Sequence, residues 1–183
     1  VVASGDQIWI AQGTYYPSDT DGSGDTREAA YRLIAGIEIY GGFAGDETEI
    51  TERLPYLNQV HFSGDLNGDD GGSGDNSENA YHVFVADNLI GEPPILDGIF
   101  IRQGNADSSA PNHGGGGLKV MNYQAGSTAT PLVYQTAFLQ NNGRNGGAIA
   151  VAGENAGISL FRCVIANNTS TDEGGGLRNG GTT

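Results

Sequence analysis

The sequence predicts an all-β chain in which parallel strands stack as a β-helix, and three of its features support this fold class. The first is a glycine cluster followed by an aliphatic residue, which recurs with starts at Gly115, Gly146 and Gly174, 31 and 28 residues apart. Such a near-constant interval is typical of solenoids, in which each unit buries apolar side chains against its neighbours. The second is a match between residues 138–141 and 165–168 at a spacing of 27. The third is that the apolar runs are short and bounded by turn residues.

Seven runs of the sequence have the alternating or β-rich pattern of strands. They cover residues 7–11, 37–40, 60–63, 81–85, 98–101, 131–139 and 157–165. The best helical candidate, residues 27–34, is short and leads directly into strand pattern. A propeller blade needs four strands in roughly 40 to 45 residues, so the shorter repeat favours a parallel β-helix.

Alternation along the last two runs predicts which side chains face the interior. The expected inward set is Tyr134, Thr136, Phe138, Phe161, Cys163 and Ile165. Asn141 and Asn168 fall at equivalent positions after these runs, so each amide is expected to bond the turns above and below it. The glycine clusters then mark a second turn, where a side chain would clash with the next coil. Cys163 is the single cysteine, which excludes a disulfide within the chain and favours a small core residue.

We expect one β-helix domain over residues 1–183. Residues 1–94 form N-terminal coils with acidic insertions, and residues 95–183 form regular repeats rich in Gly and Asn. Strand pattern begins soon after Val1, and the chain stops six residues after the third glycine cluster. Because open solenoid ends expose unpaired strand edges, the chain is expected to be a fragment of a longer protein.

The charge balance narrows the classes of partner. Eight basic residues stand against 22 acidic ones, which gives a formal net charge of -14, and Lys119 is the single lysine. Such a surface repels nucleic acid and anionic lipid, so neither is expected as a partner, whereas cation binding is plausible. No segment has the apolar length of a membrane span.

Several segments resemble known bacterial proteins. Residues 138–141 (FLQN), followed by residues 146–149 (GGAI), match the paired FxxN and GGA(I/L/V) motifs of the chlamydial polymorphic outer-membrane protein repeats. Residues 8–15, 39–48 and 96–101 resemble coils of bacterial surface proteins with right-handed parallel β-helix repeats. Ile165 and Ile101 stand where the FxxN motif has phenylalanine.

This resemblance implies a right-handed, single-stranded parallel β-helix, a pectin-lyase-like solenoid with long loop insertions. It also implies a secreted or cell-surface protein with a structural or adhesive role. Its partners would be carbohydrate or the surface of a host or neighbouring cell. The motifs that are shared are structural ones, so they assign no catalytic residue.

An acidic loop is the strongest candidate site. Its candidate ligands for a metal ion are Asp65, Asn67, Asp69, Asp70, Asp75 and Glu78, in a segment that also contains Gly71 and Gly72. Hard oxygen ligands at alternate positions, followed by glycine, are what Ca²⁺ requires of a tightly turned backbone. The spacing differs from that of an EF-hand, because Asp70 occupies the place of its invariant glycine. The alternative is a solvated acidic loop with Asx turns, which is also how we interpret residues 19–25.

Two further functions remain open. Polysaccharide lyases and hydrolases use this fold, and the pair Asp69 and Asp70 and the segment 112–114 are faintly similar to polygalacturonase motifs, but no basic motif follows. With one lysine and scattered arginines, the sequence favours a protein that is not an enzyme. His61 and His82 lie in strand contexts and are expected to be packed, whereas His113 lies in the longest insertion of the regular repeats. The last alternative is end-to-end self-association into an extracellular filament or surface layer.

Overall fold

The structure of the protein is a computed structural model that describes residues 2–70, 75–127 and 130–180. Strands make up 38% and helix 3% of it, which confirms the prediction of an all-β chain. In the described residues, the helical segments are two single 3-10 turns, Thr26–Glu28 and Ile50–Glu52. No helix among these residues has the length and apolar character needed to cross a membrane.

The chain makes five successive passages through the same sheets, and we call each passage a circuit. Circuit 1 contains β1 (Gln7–Ala11), β2 (Gly13–Tyr15) and β3 (Tyr31–Arg32), and circuit 2 contains β4 (Glu38–Phe43), β5 (Val60–Ser63) and β6 (Phe84–Asp87). Circuit 3 contains β7 (Ile95–Asp97), β8 (Phe100–Arg102), β9 (Asn105–Ala106) and β10 (Leu118–Met121). Circuit 4 contains β11 (Leu132–Tyr134), β12 (Ala137–Leu139), β13 (Asn142–Asn145) and β14 (Ile149–Ala152). Circuit 5 contains β15 (Ser159–Phe161), β16 (Val164–Ala166), β17 (Thr169–Glu173) and β18 (Leu177–Gly180).

Corresponding strands of successive circuits pair side by side. Sheet 1 collects the first strands in the order β1-β4-β7-β11-β15, and sheet 2 collects the second strands in the order β2-β5-β8-β12-β16. Sheet 3 collects the last strands as β3-β6-β10-β14-β18, and the additional strands β9, β13 and β17 form sheet 4. All of these pairings are parallel. Parallel sheets visited in a constant order are compatible with the predicted solenoid.

Rows of apolar side chains in register form the core between the sheets. The fully or almost fully buried members include Leu96 and Val133 in sheet 1, Phe62, Ile101 and Phe138 in sheet 2, and Phe84, Leu118 and Ile149 in sheet 3. They belong to one hydrophobic cluster. Burying each such side chain contributes about 1.5–3 kcal/mol, so the stacked rows stabilise neighbouring circuits against one another.

The predicted strands 131–139 and 157–165 are each divided by a corner. Gln135 and Arg162 adopt positive φ values of 45° and 56°, and these residues separate β11 from β12 and β15 from β16. Side-chain alternation does not continue across such a corner. Phe138 is therefore fully buried, whereas Phe161 is 54% exposed, so the prediction that Phe161 faces the interior was wrong. Leu160 takes the inward place instead, paired with Val133.

Two other boundaries differ from the sequence prediction. The strand expected at residues 81–85 begins only at Phe84, because the backbone of residues 81–83 bonds Arg27 and Gly116 outside the sheet pairing. The helical candidate at residues 27–34 is a single 3-10 turn followed by β3. Asp25 starts that turn, since its carboxylate accepts a hydrogen bond from the Arg27 backbone N–H.

The glycine clusters are turns between the preceding strands and sheet 3. Each begins with a left-handed glycine, with φ of 74° at Gly115, 64° at Gly146 and 62° at Gly174. The next glycine lies against the neighbouring circuit, and a Cβ on Gly147 would overlap the carbonyl oxygen of Thr169. The prediction of a turn too close to the next coil for a side chain is confirmed at this position.

Candidate metal centre

The acidic loop leaves circuit 2 at the end of β5 and returns at β6. Asp65 is only 6% exposed. Its Oδ1 accepts hydrogen bonds from the backbone N–H groups of Gly68 (2.8 Å) and Asp69 (3.1 Å). Its Oδ2 accepts a longer bond from the Asp70 N–H at 3.3 Å. Asp65 therefore folds the backbone that follows it into a tight turn around its own carboxylate.

This turn brings four of the predicted ligands together. Asp65, Asp69, Asp70 and Glu78 each offer a carboxylate oxygen, and these oxygens all lie within 4.8 Å of one another. Among the described residues this is the group of acidic, histidine or cysteine side chains that could hold a metal ion. We call these four residues the carboxylate cluster. Gly71 and Gly72, which belong to the same predicted loop, lie outside the described residues.

The remaining two predicted ligands, Asn67 and Asp75, lie outside the carboxylate cluster. Asn67 donates from Nδ2 to Asp69 Oδ2 at 3.1 Å, and its own Oδ1 accepts from the Asp69 N–H at 3.2 Å. It therefore orients Asp69 beside the cluster. Asp75 is exposed, accepts a hydrogen bond from the Ser77 N–H at 3.0 Å and is not part of the carboxylate cluster.

Sequence reasoning missed Asn79, which fixes one side of the cluster. Asn79 is buried and donates from Nδ2 to Asp70 Oδ2 at 2.7 Å and to the backbone oxygen of Gln103 at 2.8 Å. Gln103 belongs to circuit 3, so this amide ties the loop to the neighbouring circuit. No spacing rule could have found Asn79, because its role depends on a contact between two circuits.

The cluster contains more oxygen acceptors than donors. Asp70 Oδ1, Glu78 Oε1 and Asn79 Oδ1 are buried atoms without a hydrogen-bond partner in the described part of the chain. Burial, together with the charges of Asp65 and Asp69, raises the pKa of Asp70 above its ordinary value. Burial, followed by repulsion from Asp69, Asp70 and Asp75, raises the pKa of Glu78. A hard divalent cation would satisfy these oxygens and offset the repulsion.

These pKa shifts predict how stability depends on pH without a bound cation. A raised pKa means that the folded chain binds protons more tightly than the unfolded chain. The contribution of Asp70 and Glu78 to the free energy of unfolding is therefore greatest at low pH, and it is lost as pH rises through their pKa values in the folded state. Urea unfolding in EDTA from about pH 4 to pH 7 should show this decline, measured as the difference between the wild type and Asp70→Asn.

Asp46→Asn is the matched control for the loss of one carboxylate, because Asp46 is exposed and lies outside the carboxylate cluster. The difference measurement matters because Glu47, Glu52 and Asp75 have pKa values lowered by hydrogen bonding, which gives the opposite slope. Identical pH profiles for the wild type and Asp70→Asn would contradict repulsion within the carboxylate cluster.

The other sites considered in the sequence have separate environments. In the second acidic segment, residues 19–25 form a loop between β2 and β3, as predicted, and the carboxylates of Asp19 and Asp21 lie 3.8 and 3.9 Å from nitrogens of Arg32. His82 is buried, its Nδ1 lies 3.0 Å from the Gly115 oxygen, and burial lowers its pKa to about 3. It is therefore a packed, neutral histidine, as predicted. His113 lines a different cavity from the one that Asp70 lines, so the structure does not join the two motifs into one site.

Comparison with known proteins does not extend this description. Family models, curated proteins and solved structures yield no significant match to the chain.

Proposed function

We propose that the chain is a right-handed parallel β-helix that acts as a structural or adhesive scaffold on the outside of a bacterial cell, with Ca²⁺ stabilising its acidic loop. The observation that carries this proposal is the carboxylate cluster, which lies in the loop between β5 and β6 of a regular stack of circuits. The proposed right hand is supported by the general preference of parallel crossover connections for that hand. The extracellular location rests on the resemblance of the repeat motifs to those of bacterial surface proteins.

Calcium is the cation that best fits the donors. It takes six to eight oxygen ligands in flexible geometry, and the carboxylate cluster offers up to eight carboxylate oxygens, some already committed to backbone N–H groups. Mg²⁺ demands near-ideal octahedral geometry, which an irregular set of carboxylates on a loop satisfies less well. A calcium requirement would also suit an extracellular setting, because free calcium is abundant there.

An adhesive role is supported by apolar side chains on an otherwise acidic surface. Tyr56 and Leu57, in the connection between β4 and β5, are each 73% exposed. Beside them, Pro55, Phe100 and Val164 line a cavity of about 210 Å³ on the outer side of sheet 2. Tyr56 also lines this cavity, and contiguous apolar surface is the feature that marks interaction sites. The partner that we propose is carbohydrate on a host or neighbouring cell.

Calcium should raise the thermal stability of the protein. Binding to the folded state alone adds about 2.7 kcal/mol when free Ca²⁺ is about 100 times its dissociation constant, which corresponds to a rise in melting temperature of roughly 5–10 °C. Differential scanning calorimetry in EDTA, in Ca²⁺ and in Mg²⁺ measures this, with a smaller expected rise for Mg²⁺. Asp70→Asn should lose most of the rise, whereas Asp46→Asn should keep it.

Equal melting temperatures for the wild type in EDTA and in excess Ca²⁺ would contradict the proposal that Ca²⁺ stabilises the acidic loop. The location has its own test, which is protease treatment of intact cells that produce the protein. A surface protein is degraded without lysis. Protection of the chain until the cells are broken would overturn the cell-surface assignment while leaving the calcium result unaffected.

A further inference from the structure

A small cavity lies on the outer side of sheet 3, against the connection between β9 and β10. Its volume is about 70 Å³, and its walls include Pro111, His113, Lys119, Tyr123, Asn145 and Arg178. A water molecule occupies roughly 10–15 Å³ on such a measure, so the space suits a few waters or one small functional group. The lining is unusual for this protein, because it contains the single lysine, an arginine and one of three histidines.

Strand register explains why the basic residues meet here. Arg32, Val85, Lys119, Ala150 and Arg178 occupy one row across the five strands of sheet 3. Neighbouring strands are about 4.8 Å apart, so the backbones of Lys119 and Arg178 are separated by about 10 Å, with the small Ala150 between them. Ala150 has a small side chain, and Lys119, Ala150 and Arg178 all line the cavity.

Lys119 is a buried charge whose hydrogen bonding is incomplete. It is only 8% exposed, and its Nζ lies 3.7 Å from Asp87 Oδ2, which is longer than the 2.7–3.2 Å of a good N–H···O hydrogen bond. An ammonium group has three donors, and a buried cation is costly unless they are used. Lys119 therefore has donors to spare for a ligand.

The rest of the cavity wall adds further polar groups. His113 Nδ1 is buried and has no hydrogen-bond partner among the described residues. Arg178 bonds Glu173 from Nε at 3.1 Å, and this partly exposed pair leaves the terminal guanidinium nitrogens for other acceptors. By contrast, Arg27 and Arg53 are held by carboxylates at 2.8 and 2.6 Å elsewhere on the molecule.

We propose that this cavity binds the carboxylate group of a small ligand such as an acidic sugar, with Lys119 and Arg178 as its charge partners and His113 as a hydrogen-bonding group. A carboxylate matches both the cavity volume and the fork of donors on an arginine. A phosphate dianion is disfavoured, since a protein with a net charge of -14 repels a double charge more strongly than a single one. The site is separate from the carboxylate cluster and does not depend on the proposed calcium.

The test is a titration of the ¹⁵N-labelled protein with D-glucuronate at low ionic strength, followed by NMR. The backbone amides of Gly114, Lys119 and Ala150 should shift along a saturating curve, with dissociation in the millimolar range. The methyl ester of glucuronate, which has no charge, should shift them at least tenfold less at equal concentration. An acetate titration shows whether the cavity recognises the sugar or only its carboxylate. Tighter binding of glucuronate than of acetate indicates an acidic sugar, and equal binding indicates carboxylates in general.

Two variants and a control locate the binding. Arg178→Gln, at a partly exposed position that should not impair folding, and Lys119→Met should each weaken binding about tenfold, the loss expected for one charge-assisted hydrogen bond. Arg144→Gln is the matched control, because Arg144 is an exposed arginine paired with Asp172 and does not line the cavity. Shifts that do not saturate, or that are unchanged in Arg178→Gln, would overturn the proposal.

Discussion

Gly147→Ala should destabilise the protein by about 3 kcal/mol or more. An added Cβ would overlap the backbone oxygen of Thr169 and lie 2.5 Å from that of Gly175, both in circuit 5. Backbone atoms cannot move aside as a flexible side chain can, so circuits 4 and 5 would have to separate locally. Equilibrium unfolding in urea measures the loss. The clash, and not a general cost of replacing glycine in a turn, is the proposed cause.

Gly175→Ala separates these two causes. Gly175 holds the equivalent place in the next glycine cluster, but its added Cβ would lie 3.2 Å from the nearest atom, the Asn168 oxygen. This contact is tight but permits a small adjustment, so the loss should stay below about 1 kcal/mol. Equal losses in the two variants would show that backbone conformation, and not the spacing between circuits, requires these glycines.

Asn141→Ala should have a similarly large effect, because its amide replaces backbone hydrogen bonds at a buried corner. Asn141 is 1% exposed. Its Oδ1 accepts from the Gly104 N–H at 3.0 Å, and its Nδ2 donates to the Ile101 oxygen at 3.0 Å. Alanine would leave both backbone groups buried without partners, at a cost of about 1–3 kcal/mol each. We therefore expect a total loss of about 3–5 kcal/mol in urea unfolding.

Asn168→Ala provides the comparison within the same stack. Asn168 is only half-buried, and it bonds the Asn141 N–H at 2.9 Å and the Phe138 oxygen at 2.9 Å. Water can reach this corner and replace part of the lost bonding, so the loss should be about 1–2 kcal/mol. If Asn168→Ala cost as much as Asn141→Ala, burial of the orphaned groups would not be the reason for the effect.

These asparagines show which parts of the fold the sequence predicts well. The match between residues 138–141 and 165–168 placed Asn141 and Asn168 in one stack, and the Nδ2 of Asn141 does donate to Asn168 Oδ1 at 3.0 Å. Stacked turns repeat the same residue at the same place, so the physical requirement is visible as a repeat. The glycine clusters were predictable for the same reason.

The corners at Gln135 and Arg162 show where this reasoning fails. Both residues adopt a left-handed conformation that glycine or asparagine usually signals, and the apolar alternation continues through them without interruption. A strand pattern of nine residues therefore concealed two strands on different sheets. The candidate metal centre was predicted in part, because the local turn around Asp65 depends on close neighbours. The role of Asn79 could not be predicted from the sequence, since its partner Gln103 lies in another circuit.

The connections between strands differ greatly in length, yet corresponding strands stay paired, and the described pairs shift register only between Ile10 and Ala11 and between Gly143 and Asn145. Residues 64–83 separate β5 from β6, whereas only Gln140 and Asn141 separate β12 from β13. Each doubling of a flexible connection costs only about 0.6 kcal/mol of closure entropy, while the stacked strands hold both of its ends in place. Natural variation can therefore lengthen, shorten or replace such a segment without disturbing the core. A protein built in this way can acquire new recognition surfaces over evolutionary time while its scaffold stays unchanged.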